Sequence, residues 1–157
     1  VGSEMCIRDR HWPYDLPGYF DFNQAMEAAR KADKPLFVDI TGISCVNCRE
    51  MEMRVWSDPR VQEILRNDYV LVALYTDDKT RLPESEWVTT ENGKVLKDMG
   101  RINSYLVQKR FGVTGQPNYV LLDNEGEQLV PMRAYNLDVD AYIQFLQSGV
   151  EAYKAGK

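Results

Sequence analysis

Metal-ligating side chains are scarce in this chain, whose 157 residues include one histidine and three cysteines. A structural zinc site takes about four ligands. A zinc reading of Cys45 and Cys48 would therefore have to recruit Cys6 and His11, both near the N-terminus. Long apolar runs are missing too. The longest, Tyr69 to Tyr75, falls far short of the roughly 18 residues of a membrane helix and reads as a buried strand. Positive charge is not in surplus: 19 Lys and Arg stand against 24 Asp and Glu, for a net charge of -5. The cations are scattered among the acids and form no face for a polyanion, which sets nucleic acid aside as a partner. No repeat is visible. What is present, 44% apolar and 27% charged residues, suits one folded domain with a single core.

Val1 to Arg10 has no initiator methionine, no apolar signal-peptide core and no periodicity. Residues 1–13 read as a disordered foreign leader or linker remnant of a longer chain, and 14–157 as the folded domain.

Phe22, Ala25, Met26 and Ala29 recur at helical spacing behind Asp21 and Gln24, which predicts a helix from Phe22 to Ala32. A strand follows at Leu36 to Thr41, then a helix from Val46 to Trp56. Ser57-Asp58-Pro59 starts another helix, reaching Leu65, and Tyr69 to Thr76 is a second strand. Residues 77–100 form a long polar insertion with a hairpin signal at Glu91-Asn92-Gly93-Lys94. A helix through Ile102, Tyr105, Leu106 and Lys109 ends at Gly112. Strands at Asn118 to Asp123 and Gln128 to Arg133 flank a turn, and Val139 to Tyr153 closes the chain as a helix. A strand, helices and a strand in that order require a parallel crossover. The expected class is α/β, a mixed central sheet in which a parallel β-α-β unit is joined by an antiparallel hairpin, with helices on its faces.

Cys45 and Cys48 stand at the end of that first strand and the start of the next helix. A helix N-terminus favours an anion, so Cys45 is the expected thiolate nucleophile, and Cys48, one turn on, can close a disulfide with it. Attack on a partner disulfide by Cys45 and resolution by Cys48 is the chemistry this spacing allows. Half of a zinc site and a pair of inert structural cysteines are the alternatives. Val46 and Asn47 carry no positive charge, histidine or proline, so they add little to the stabilisation of the thiolate. Glu52 follows Cys45 by seven residues and Cys48 by four, which puts all three on one helix face. There it can raise a thiol pKa or take a proton, or be a solvated helix acid. Arg49 reads as a solvent-facing charge. Trp12, Trp56, Trp87, Tyr119 and Tyr135 are candidates either for a partner surface or for the core.

The segment Phe37-Val38-Asp39-Ile40-Thr41-Gly42-Ile43-Ser44-Cys45-Val46-Asn47-Cys48-Arg49 resembles the active-site segment of thioredoxins. Gly115-Gln116-Pro117, ahead of an apolar strand, resembles their cis-proline loop. The run Cys-Val-Asn-Cys-Arg-Glu-Met-Glu from Cys45, followed by Trp56-Ser57-Asp58-Pro59-Arg60-Val61, resembles the C-terminal periplasmic domain of DsbD-type thiol:disulfide interchange proteins. The similarity runs from about Phe20 to Gly149. Ser44 departs from thioredoxins, which usually carry tryptophan there.

The resemblance implies a thioredoxin fold and a protein-disulfide reductase acting as an electron relay, with a free-standing thioredoxin-like reductase, or a non-catalytic or zinc-binding thioredoxin-fold module, as the alternatives. It implies a monomeric domain on the periplasmic or another extracytoplasmic side, reduced by a membrane-embedded redox domain of the same parent chain. Its partners would be disulfide-bonded or dithiol proteins, among them disulfide isomerases and cytochrome c maturation factors. Asp39 would be the buried carboxylate of thioredoxins, Pro117 their cis-proline, and the Gln116 backbone a rung for an extended partner segment. No cofactor is expected beyond the Cys45–Cys48 disulfide, and no metal.

Overall fold

A computed structural model describes residues 11–156. In chain order its elements are β1 (Gly18–Tyr19), α1 (Phe22–Ala32), β2 (Leu36–Thr41), α2 (Val46–Arg54), α3 (Pro59–Asp68) and β3 (Val70–Tyr75). They continue as β4 (Val88–Thr89), β5 (Val95–Leu96), α4 (Met99–Phe111), β6 (Asn118–Leu122) and α5 (Val139–Ala155).

Four helices begin where a short acidic side chain can take an unpaired N–H. Asp21 accepts from Gln24, Asp58 from Arg60, Asp98 from Arg101 and Asp138 from Ala141, at 2.8 to 3.0 Å. The apolar positions inside those helices then fall on one face. On α1 they are Phe22, Ala25, Met26 and Ala29, all buried.

The main sheet has the order β1-β3-β2-β6. β2 runs parallel to β3, with Leu36 beside Val70 and Thr41 beside Tyr75, and antiparallel to β6. All six residues of β2 are buried, as a central strand covered on both faces requires. Its alternation divides the core in two. Leu36, Val38 and Ile40 join the α1 layer with Val72, Leu74, Val120 and Leu122. Phe37 enters the other layer, an aromatic stack with Trp56, Tyr69, Tyr119 and Tyr142. Asp39 has the parity of Phe37. Among the described residues no helix is long and apolar enough to cross a membrane.

Four differences from the sequence reading have local causes. Gln128 to Arg133 is no continuous strand: it bridges β6 only at Gln128 and Arg133, around a bulge that holds Pro131, which has no N–H to donate. β1, only two residues long, had no pattern to betray it. The helix over 99–111 starts at Met99, because Asp98 caps it and Gly100 fits where a Cβ would press 2.8 Å from the Asp78 backbone. Trp12, placed by sequence in the leader, is 6% exposed, so the packed unit begins before residue 14. Its ring stacks on Trp56 at 5.7 Å between centroids, and its Nε1 donates to the Tyr19 carbonyl at 3.2 Å. Within 77–100, β4 and β5 form the expected hairpin, with Gly93 at φ 86° in its turn.

Trp12→Ala should lower unfolding free energy by about 3 kcal/mol in denaturant titration, the lower end for a buried tryptophan. A loss below about 0.5 kcal/mol, the size of an ordinary surface change, would contradict its place in the core.

Candidate active site

β2 ends at Thr41 and α2 begins at Val46, and the turn between them is held from outside. Asp77, two residues beyond β3, accepts the N–H groups of Ile43 at 2.7 Å and Ser44 at 3.0 Å. Gly42 packs tightly: a Cβ there would stand 3.1 Å from Gln116 Nε2 and 3.2 Å from Asp77 Oδ2. The loop is thus fixed before the first cysteine.

Cys45 is the N-cap of α2, and its sulfur accepts the Cys48 N–H at 3.1 Å, in the place usually filled by an oxygen. A thiolate there receives the helix's unpaired donors and the positive end of its dipole. Cys45 and Cys48 are joined by a disulfide, with their Cα atoms 5.3 Å apart. The two sulfurs are not equivalent to an approaching molecule. Cys45 is half-buried, whereas Cys48 is 2% exposed.

Asp39, 4% exposed, lies on β2 two residues before its end, between Ala73 and Tyr119 in the sheet. Burial pushes its carboxyl well above the usual range; the Glu52 charge adds to the rise and Arg49 opposes it. Glu52 is also raised by burial and lowered by Arg49. Its side chain is 16% exposed and paired with Arg49 at 3.1 Å, so it is not a freely solvated acid. Arg49, read from sequence as solvent-facing, also donates to Thr41 Oγ1 at 2.9 Å.

The Gln116–Pro117 bond is cis, Pro117 is buried and Gln116 exposed. Thr76 ties this loop to the strand ends: its hydroxyl lies 3.2 Å from both the Thr41 carbonyl and Gln116 Oε1. Of the five aromatic candidates, Trp12, Trp56 and Tyr119 are core. Trp87 stacks under Arg81 and Lys97 in the insertion, and exposed Tyr135 donates to Glu50 on α2.

The structure therefore gathers Cys45, Cys48, Asp39 and Glu52 at one end of the sheet, with the Gln116–Pro117 loop against the same strand end. Sequence reasoning missed Asp77, Thr76 and the role of Arg49. The register holds the signal for the first two: a parallel pair matching Thr41 with Tyr75 sets residues 76 and 77 beside 42 to 44. Among the described residues no three His, Cys, Asp or Glu side chains group as a metal site. Cys6 lies outside the described residues.

Residues 22–148 match the family model of a thioredoxin-like domain. The thiol:disulfide interchange protein DsbD of Yersinia pestis (strain Pestoides F) is 26% identical over 121 residues, which span 76% of this chain and 17% of that protein. A DsbH oxidoreductase structure superposes with a TM-score of 0.64 at 20% identity, over 90% of this chain and 91% of the other. The C-terminal domain of Neisseria meningitidis DsbD in the oxidised form gives 0.57 at 18% identity, over 85% and 99%. The two structures share this fold, and the chain spans less than a fifth of the length of the Yersinia relative.

The Asp39 environment makes a pH prediction. With its carboxyl raised by burial, the native state keeps a proton that the unfolded chain releases above about pH 4. Stability from this group is full below the unfolded pKa and falls as pH climbs through the folded one. Asp39→Asn removes that fall, so its thermal midpoint minus that of the wild type should become more positive as pH rises above about 4. A difference independent of pH would contradict a buried, protonated carboxyl.

Proposed function

This chain belongs to the thioredoxin-like domain family, and on that premise we propose that it is a protein-disulfide reductase relaying electrons through Cys45 and Cys48. The observation that carries the reading is the asymmetry of the pair. A reachable sulfur caps a helix start, and a buried sulfur one turn on already closes a disulfide with it. Such a pair accepts a partner at one atom only.

In the forward half-cycle the Cys45 thiolate attacks a partner disulfide. The partner's S–S bond breaks, a Cys45–partner bond forms, and the first partner sulfur leaves as a thiolate that takes a proton from water. Cys48 then gives its proton to Asp39 and attacks the Cys45 sulfur. The Cys45–Cys48 bond forms and the second partner thiolate leaves. Two electrons have passed to the partner. In the return half-cycle one thiolate of a donor dithiol attacks Cys45, a Cys45–donor bond replaces the Cys45–Cys48 bond, and Cys48 leaves as a thiolate to which Asp39 returns the proton. The donor's second thiolate then attacks its own bound sulfur, forming the donor disulfide and freeing the Cys45 thiolate. Asp39 thus serves proton transfer, with the Glu52 charge strengthening its hold on the proton, while the helix terminus serves the Cys45 anion.

Exposed Ile43 and Val46 flank Cys45 and suit a protein partner better than a small charged disulfide. Gln116, exposed beside them, offers its backbone to an extended partner segment. The similarity to DsbD favours an extracytoplasmic, periplasmic setting and a membrane-embedded redox domain of a longer parent chain as electron donor. Downstream partners on this reading are disulfide-bonded periplasmic proteins, including those serving cytochrome c biogenesis.

Cys45→Ser should abolish insulin reduction driven by dithiothreitol. Cys48→Ser should instead accumulate mixed disulfides that collapse on reduction. If Cys48 proved the faster thiol towards iodoacetamide at neutral pH, the two roles would be reversed and the proposal would fail.

A further inference from the structure

Arg49 is placed for more than solubility. Its Nη2 lies 2.9 Å from Thr41 Oγ1 and 3.1 Å from Glu52 Oε2, bridging the last residue of β2 and the second turn of α2. Thr41 is buried. Nε of Arg49 is buried too, with no hydrogen-bond partner among the described residues. A merely solvated arginine would avoid that cost by turning outwards. Asp39 and Thr41 are two apart on β2 and share a face. The guanidinium therefore touches one carboxylate directly and acts on the other only through space.

We propose that Arg49 is a positioning residue of the dithiol site, clipping the Glu52 carboxylate to the end of β2 and so assigning the single proton of the acid pair to Asp39. This rests on the proton exchange between Asp39 and Cys48 set out above. Two carboxylates at one site do not both ionise freely, and the one in direct contact with a cation ionises first. The remaining groups around the pair sharpen the assignment. Tyr75 on β3, Tyr119 on β6 and Tyr142 on α5 face Asp39, and each is a phenol raised by burial, hence neutral. Arg49 is the cation that acts on both acids. Both contacts fall on the one nitrogen Nη2. A lysine would keep the charge but on a flexible ammonium, without the rigid planar group that holds this nitrogen between Thr41 and Glu52.

The test uses the reduced protein and 5,5′-dithiobis(2-nitrobenzoate). The first thionitrobenzoate is released when Cys45 forms a mixed disulfide, and the second when Cys48 resolves it. Removing the cation raises the proton affinity of the acids, so Arg49→Gln should move the pH midpoint of the second release up by about one unit, a tenfold slowing below it. In a Glu52→Gln background the same change should move it by less than half as much. Arg49→Lys should fall between Arg49→Gln and wild type; should Arg49→Gln not fold, this variant carries the test, with a shift of the same sign. A merely structural arginine would lower the melting temperature and leave the midpoint in place, and that result overturns the proposal. Carboxyl carbon NMR of the disulfide form reads the same assignment without thiol chemistry. Asp39 should titrate above Glu52, and both should move up in Arg49→Gln. An inert dithiol with this titration intact would end the reductase reading and leave the role of Arg49 standing. The reverse order of titration would end the role of Arg49.

Discussion

The parallel pairing of β2 with β3 sets Thr41 beside Tyr75, and the site is assembled from the residues just beyond that pair on each strand. From β2 come Gly42, the turn and the capping cysteine. From β3 come Thr76, which holds the Gln116 loop, and Asp77, which holds the turn. A one-residue slip in this register would turn Asp39 out of the aromatic layer and carry Asp77 away from its two N–H donors. The slip is resisted because β2 is buried on both faces, so every one of its side chains would land in the wrong layer. The chemistry at the helix start thus depends on packing far larger than itself.

That packing also gives the acids their character. A carboxyl on the Phe37 face of β2 lies in a layer of tryptophan and tyrosine rings, where a charge is poorly solvated. Desolvation makes Asp39 hold a proton, and proximity to Glu52 strengthens the hold. A helix N-terminus and a buried acid pair then act in opposite directions on neighbouring sulfurs. The terminus favours an anion on half-exposed Cys45, and the acids disfavour one near buried Cys48.

Local signals were the legible ones. Asp21 and Asp58 announced helix starts because a cap acts within three residues, and β2 announced itself because a doubly buried strand is apolar nearly throughout. The dithiol stood out by spacing alone. The cis character of Pro117 came from resemblance, since nothing local marks it. Long-range dependences stayed hidden. Trp12 belongs to the core only because Trp56 receives its ring, and Arg49 turns inward only because Thr41 ends the neighbouring strand. The interrupted pairing at 128–133 was legible in principle, since Pro131 sits inside the run.

The proposed relay would need a reducing couple. Val46 and Asn47 bring no positive charge to the helix terminus, and an ionised carboxylate beside a dithiol disfavours a thiolate. On the proposed reading the reduced form is therefore not over-stabilised and the disulfide is comparatively stable. Equilibrating the protein against glutathione buffers, then trapping free thiols, measures this directly. The expected potential lies between about -200 and -270 mV, near that of thioredoxin. A value above about -150 mV would mean an oxidising centre and contradict the reductase reading.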